Sequence, residues 1–506
     1  MSIENALFKN ILKAHVYDVA IETPLEEAPL LSKRLHNKIL IKREDLQSVF
    51  SFKIRGAYNR MRLLSPAEKK QGVITSSAGN HAQGVALSAN TLGIKATIVM
   101  PNTTAEIKIN SVKERGATVI LHGDNFDEAS TYAQKLATAK KLIFVHPYDD
   151  LDVIAGQGTI ARELLQQYSD KISAIFVPVG GGGLIAGIAI YCKMLRPDIK
   201  IIGVEPEDSA CLKAALEKGR PLTLKNIGLF ADGVAVKKVG KEPFKFAKKY
   251  VDDVITVSND EICAAIKDIF NDNRSVAEPS GALAVAGLKK YGGAKKIKNQ
   301  TLIAIESGAN VNFDRLRYVV ERSEIGEQRE ALLAVTIPEK IGSFKTFCQA
   351  LQERDITEFN YRYNKDEKAH IFVGIKLPSE KNKRILLLQH LKNKKYAVDD
   401  LSNNEMAKLH VRHMVGGHGK ELPNECVYLV EFREHPGALM KFLKHLGQRW
   451  NITMFHYRNH GADYGRVLLG LQIPEAEKAK ANKHLKSKGY RFFEESDNIA
   501  YTLFLS

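Results

Sequence analysis

Between about residue 39 and residue 312, short uncharged runs alternate with longer stretches in which apolar positions recur at helical spacing. The runs 96–100, 117–121, 142–145, 174–179, 201–204 and 302–305 are rich in Val, Ile, Leu and Ala. Apolar on both faces and separated by helices, they predict parallel sheets covered on both sides, an α/β fold. After Asn312 the texture changes. A charged stretch, 321–330, predicts a linker or a linking helix, and the remainder of the chain contains an internal repeat. ITEFNYR at 356–362 returns as ITMFHYR at 452–458, with five of the seven residues identical. Each copy follows a predicted strand (332–337 or 427–432), a turn with proline and glycine (Pro338 and Gly342, or Pro436 and Gly437) and a helix. Further elements complete a β-α-β-β-α-β unit, α+β and ferredoxin-like, occurring twice. The expected division is 1–320, a linker at 321–330, and units at 331–402 and 424–495, with the last strand extending as far as 506.

Composition adds bounds. With 506 residues, 44% hydrophobic and 26% charged, the chain is an ordinary globular protein of more than one domain. Its net charge of +16 raises a nucleic-acid or membrane partner. No reader motif supports one, and the lysine-rich stretches near 381–395 and 478–488 also carry periodic apolar residues, as solvated helix faces do. No nucleic acid and no membrane are expected. The five cysteines (Cys192, Cys211, Cys263, Cys348, Cys426) are widely spaced and odd in number, which argues against a disulfide framework or thiolate metal site. The N-terminus lacks the basic start and apolar run of a signal peptide, so a cytoplasmic location is expected. Nothing charged lies between Lys171 and Lys193, a span long enough for a bilayer, but Pro178 and four glycines divide it into a strand, a loop and a helix.

Four segments carry candidate chemistry. Lys53, within Ser51-Phe52-Lys53-Ile54-Arg55-Gly56-Ala57, stands among apolar and small residues that lower an ammonium pKa, as a Schiff-base lysine requires; taken alone, a surface lysine is the blander reading. Residues 75–84, TSSAGNHAQG, join a strand to a helix, where orphan N–H groups and hydroxyls hold anions, or where Asn80 and His81 are merely exposed beside an ordinary cap. Gly180, Gly181, Gly182 and Gly183, then Leu184, connect a strand to the predicted helix 185–193. This run has neither the P-loop nor the dinucleotide spacing, so a phosphate monoester is the better guess. Four glycines carry a large cost in backbone entropy, which weighs against a plain turn. Finally, Glu306-Ser307-Gly308-Ala309-Asn310 comes after a predicted parallel strand, whose carboxyl end delivers residues to a crevice.

In this order and spacing the four segments resemble the β-family (fold type II) of pyridoxal-phosphate enzymes, most closely the biosynthetic threonine dehydratases, over essentially the whole chain. The resemblance implies a two-lobed catalytic domain followed by tandem ACT-like regulatory units. It implies that Lys53 carries pyridoxal 5'-phosphate and, once released, removes the Cα proton. It implies that Asn80 contacts the pyridine 3′-oxygen, that Gly180, Gly181, Gly182, Gly183 and Leu184 hold the phosphate, and that Ser307 meets the pyridine nitrogen. Ser76 and Ser77 would hold the substrate carboxylate. A neutral serine at the ring nitrogen disfavours a long-lived carbanion, and so favours elimination over transamination and racemisation. L-Threonine would give 2-oxobutanoate and ammonia, and L-serine pyruvate, with isoleucine inhibiting, valine opposing it, and a homotetramer as the assembly.

Departures from relatives sharpen this. Ala78 stands where related serine racemases carry a second serine. Some relatives bind a divalent cation through the glutamate matching Glu205 and an acid six residues on, where this chain has Cys211, so no metal is expected. Glu278 in Ala277-Glu278-Pro279 is open between a local acid and a structural salt bridge. The strand 452–458 and the turn at His435, Pro436 and Gly437 are the expected places for an effector; a purely structural role for the doubled unit is the alternative. A catabolic serine/threonine deaminase and a non-enzymatic amino-acid sensor are the competing functions.

Overall fold

The computed structural model of the chain describes residues 2–501 apart from 314, 328, 353, 363–366, 379–381, 405–406, 409–410, 414–421, 434–437, 448, 459–463 and 499–500. Two compact units divide the chain, the first ending at Gly326 and the second beginning at Glu327.

The first unit is built on two sheets. Its strands are β1 (Leu25–Glu27), β2 (Lys38–Arg43), β3 (Val73–Ser76), β4 (Ala96–Met100), β5 (Thr118–Leu121), β6 (Ile143–Phe144), β7 (Ala174–Pro178), β8 (Lys200–Pro206), β9 (Asp253–Val257) and β10 (Thr301–Glu306). The larger sheet has the order β1-β2-β10-β7-β8-β9 and the smaller β5-β4-β3-β6. All pairs are parallel except the edge pair of β1 with β2. Residues of the central strands alternate between two cores. Ile175, Val177, Ile303 and Ile305 pack on one side with residues of the helix Gly183–Leu195, and Phe176, Ile202, Leu302 and Ala304 on the other with the helix Pro279–Lys295. Burial on both faces is why these strands read as unbroken apolar runs.

The first part of the stretch 321–330 is helical. Residues up to 326 continue the helix Arg315–Gly326, which buries Val319 and Ile325 and pairs Arg322 with Asp260, while residue 330 already opens a strand. The charges of residues 321–326 belong to a helix whose apolar face is held by the first unit.

The second unit is one antiparallel sheet. Its strands are β11 (Glu330–Pro338), β12 (Ile356–Arg362), β13 (Lys368–Lys376), β14 (Ala397–Asp400), β15 (Glu425–Arg433), β16 (Asn451–Arg458), β17 (Tyr464–Gln472) and β18 (Arg491–Glu494), in the order β14-β11-β13-β12-β16-β17-β15-β18. Each repeat supplies four adjacent strands. The repeated motifs, β12 and β16, pair with each other, Phe359 opposite Tyr457 and Tyr361 opposite Phe455. The core on the helical face is aromatic, with Phe344 4.6 Å from Phe359 and 4.9 Å from Phe455, ring centre to ring centre. The turn at His435, Pro436 and Gly437 lies outside the described residues. All five cysteines are buried, and none forms a disulfide. Among the described residues, no helix is long and apolar enough to cross a membrane.

Candidate active site

In the first unit, the carboxyl ends of three parallel strands release the chain toward one cavity of about 930 Å³. Ser76 ends β3, the glycine loop follows β7, and Ser307 follows β10. Lys53, Ser76, Ser77, Asn80, Gly180, Gly181, Gly182, Gly183, Leu184 and Ser307 all line this cavity.

Lys53 is placed by a charged strand. At the end of β2 and in the 3-10 turn Glu44–Leu46 beyond it, Lys42 and Glu44 join one charge cluster, with Glu163 and Arg55, while Arg43 pairs with Asp45. Glu44 and Glu163, both fully buried, receive Arg55 two residues beyond Lys53: Nε donates to Glu44 Oε2 at 2.8 Å and Nη2 to Glu163 Oε2 at 3.0 Å. Lys42 Nζ reaches the same Glu163 at 2.7 Å, so two cations meet two anions without solvent. The glycine after Arg55 permits close packing, since a Cβ on Gly56 would lie 2.5 Å from Gln157 Nε2. The helix Lys53–Arg62 is thus fixed by its first turn, with Lys53 at the cavity wall. Lys53 Nζ donates to the Gly233 carbonyl at 3.1 Å. Burial holds its pKa below the ordinary lysine value, against the opposing pull of Glu278 and Asp232.

The glycine loop is required by packing as well as open to a ligand. A Cβ on Gly181 would strike the Tyr148 ring at 2.1 Å, one on Gly180 would meet Val234 Cα at 2.9 Å, and Gly182 has φ +91°. The entropy cost that argued for a ligand therefore also has a structural reason. Gly182 caps the helix Gly183–Leu195 without a side-chain hydrogen bond, leaving the first N–H groups turned to the cavity end, where an anion is favoured.

On the opposite wall, the helix Asn80–Leu92 likewise begins at Gly79 without a side-chain cap. Ser77 Oγ accepts the Gly79 N–H at 3.3 Å and shapes the turn. Ser76 Oγ is buried with no hydrogen-bond partner. His81 binds the Val145 carbonyl through Nε2 at 3.1 Å, and burial lowers its pKa to about 3, so it is neutral. Neither Asn80 nor His81 is exposed. Asn310 Nδ2 donates to Asn80 Oδ1 at 2.7 Å, and Asn80 Nδ2 donates to Glu278 Oε1 at 2.6 Å. Ser307 Oγ makes a long contact, 3.4 Å, with the Ser280 carbonyl. Ser280 Oγ itself is buried and unpartnered, and Ser280 lines the cavity.

Residues beyond the four sequence segments complete the cavity. Asp232 and Gly233 come from a turn without any motif, and Tyr148 from a loop after β6. Asn310, within the segment 306–310, and Glu278, before a proline, also line the cavity and had been marked by the sequence. Glu205 serves the fold instead: its two oxygens accept the N–H groups of Leu212 and Lys213 at 2.8 and 2.9 Å, capping the helix Cys211–Lys218. Burial raises its pKa to about 7.

The donor set suits pyridoxal phosphate. It combines a desolvated lysine amine, a glycine cradle at a helix start, two orphaned serine hydroxyls and a neutral hydroxyl at the end of β10.

Comparison with known proteins agrees with this geometry. Residues 16–308 match the family profile of pyridoxal-phosphate dependent enzymes, and 321–411 and 417–505 match the C-terminal regulatory domain of threonine dehydratase. Biosynthetic L-threonine dehydratase of Burkholderia multivorans is 52% identical over 501 residues, covering 98% of this chain and 99% of the relative. The Escherichia coli counterpart is 55% identical over 496 residues, covering 98% and 96%. The structure of the processed form of threonine deaminase isoform 2 from Solanum lycopersicum, 50% identical, superposes with a TM-score of 0.62 over 63% of this chain and 93% of that one. The chain belongs to the biosynthetic threonine dehydratases, pyridoxal-phosphate enzymes that carry a C-terminal regulatory domain.

Proposed function

We propose that the protein deaminates L-threonine to 2-oxobutanoate and ammonia, the step that commits threonine to isoleucine biosynthesis, and converts L-serine to pyruvate in the same way. The observation that carries this is the convergence on one cavity of a desolvated Lys53, the glycine loop and Ser307, in a chain alike over nearly its full length to biosynthetic threonine dehydratases.

Pyridoxal phosphate, when bound, supplies the electron sink that acidifies the Cα–H bond. Lys53 would carry it, with Gly180, Gly181, Gly182, Gly183 and Leu184 around the phosphate and Asn80 and Ser307 at the ring. The low pKa of Lys53 keeps a fraction of its amine neutral, so that it takes the Cα proton as general base. Ser76 Oγ, without a partner among the described residues, and the uncapped start of the helix Asn80–Leu92 hold the substrate carboxylate. Ser77 supports that turn. Ser307 offers a neutral hydroxyl, which gives no stabilised pyridinium and so favours loss of the β-hydroxyl over reprotonation at Cα.

The second unit is the regulatory part. We infer that isoleucine binds it and inhibits, that valine opposes isoleucine, and that the paired strands β12 and β16 contribute to the effector region. The assembly we propose is a homotetramer, and the location the cytoplasm. Threonine-dependent release of 2-oxobutanoate, followed with isoleucine and then valine added, tests both activity and regulation. No 2-oxobutanoate refutes the activity; inhibition indifferent to valine refutes the opposition of the two effectors.

A further inference from the structure

Glu278 is buried in the cavity wall at the start of the helix Pro279–Lys295. Its backbone N–H is bound to the Gly308 carbonyl at 3.1 Å, which ties it to the loop that carries Ser307. Its Oε1 accepts Asn80 Nδ2 at 2.6 Å. The carboxyl is boxed between two glycines: a Cβ on Gly308 would lie 3.0 Å from Oε1, and one on Gly233 3.2 Å. Gly233 is also the residue whose carbonyl holds Lys53 Nζ. Among the described residues Glu278 makes no ion pair, and its second oxygen has no hydrogen bond, so it is not the structural salt bridge that the sequence left open.

This arrangement fixes Asn80 at both ends. Asn310 Nδ2 is anchored on the Val49 carbonyl at 2.8 Å and donates to Asn80 Oδ1, so the amide oxygen faces Asn310 and the nitrogen faces Glu278. One N–H of Asn80 is left for the cavity. A buried carboxyl beside a lysine nitrogen also acts through charge, because an anion favours the protonated form of a neighbouring nitrogen.

We propose that Glu278 is a positioning residue for the Lys53 site: its carboxylate locks the Asn80 amide and supplies the negative charge that favours the protonated nitrogen while Lys53 holds the cofactor, a state distinct from the freed amine that acts as base. This rests on the reading that Lys53 carries the cofactor. The charged groups facing Glu278 are Lys53, Asp232 and Lys108, and the uncharged ones are Asn80 and, on its own helix, Ser280. Burial first, and then Asp232, raise the Glu278 pKa to about 7, while Asn80 and Lys53 pull it down. Its charge is therefore present in the upper part of the physiological range and fades below it.

The test is a pH titration of the holoenzyme absorbance band, at about 410 nm, of the cofactor bound through lysine. Glu278→Gln keeps an acceptor for Asn80 and removes the charge. Its band should be lost at a lower pH than in wild type, by on the order of one unit. Glu278→Asp keeps the charge, so its midpoint should stay near wild type although the shorter side chain loosens Asn80. Should the Gln variant fail to load cofactor, Glu278→Ala replaces it, with a shift expected in the same direction. Coincident curves for wild type and the uncharged variant, or an equal shift in Glu278→Asp, would overturn the proposal. A wild-type protein that takes up pyridoxal phosphate without any such band would instead refute the assignment of Lys53.

Discussion

Arg55 is fully buried between Glu44 and Glu163, and this anchor, not Lys53 itself, sets where the lysine helix begins. Removing one member of a buried ion cluster leaves charge without a partner, which costs about 3–5 kcal/mol. Arg55→Met should therefore lower the unfolding free energy by about that much, measured by denaturant titration; a loss under about 1 kcal/mol would show that the cluster relaxes or admits water. Gly182, at φ +91°, makes a second residue-scale prediction. Alanine there is strained by about 1–2 kcal/mol, and the strain falls on the turn proposed to offer its amides to the phosphate. Gly182→Ala should weaken pyridoxal-phosphate retention on dialysis more than it lowers the thermal midpoint. Retention equal to wild type would remove this loop from cofactor binding. Lys53, the glycines and Ser307 were legible as candidates because each sits in a contiguous motif, Lys53 at a helix start and the others just after a strand. Tyr148 and Gly233 were not, because only the tertiary fold brings them to the cavity, and nothing near them in sequence marks the approach.

At the scale of elements, parallel strands deliver the site and antiparallel strands form the regulatory sheet. Uninterrupted apolar runs and the ITEFNYR repeat announced both. The pairing of β12 with β16 across the repeats was beyond the sequence, since two similar strands are equally able to lie at opposite edges. The charged stretch 321–330 read as a linker or a linking helix because its charges outnumber its apolar residues; residues 321–326 end the helix Arg315–Gly326, which Val319 and Ile325 seat. The helix Cys211–Lys218 gives a pH prediction. Its cap, Glu205, has a folded pKa raised to about 7 by burial, above the unfolded value. The folded state then holds the proton more tightly, so the contribution is most favourable at acidic pH and is lost as pH rises toward 7. Glu205→Gln should match wild type in thermal midpoint more closely near pH 5 than near pH 8, with the variant gaining relative stability at the higher pH. A relative loss on going to higher pH would mean that the two N–H bonds outweigh burial.

Across the whole molecule, the net charge of +16 resides partly on lysine-rich helices, Lys383–Asn393 and Lys478–Ser487, which bury Leu387 and Leu391, and Ala481 and Leu485. Lys392, Lys480, Lys483 and Lys486 lie on the exposed sides of these helices, as expected of solvated helix faces. The division after Gly326 gives the proper cut for separating catalysis from control: a chain ending there keeps the helix Arg315–Gly326 whole. It should turn over threonine and ignore isoleucine, and inhibition equal to that of the full chain would remove the second unit from regulation. The most direct measurement of all is 2-oxobutanoate formed from threonine by the purified, pyridoxal-phosphate-loaded protein and by Lys53→Ala, with circular dichroism confirming that both are folded. Product from the wild type and none from the folded variant is the predicted result. A wild type without product, or a Lys53→Ala variant that retains turnover, would contradict the account.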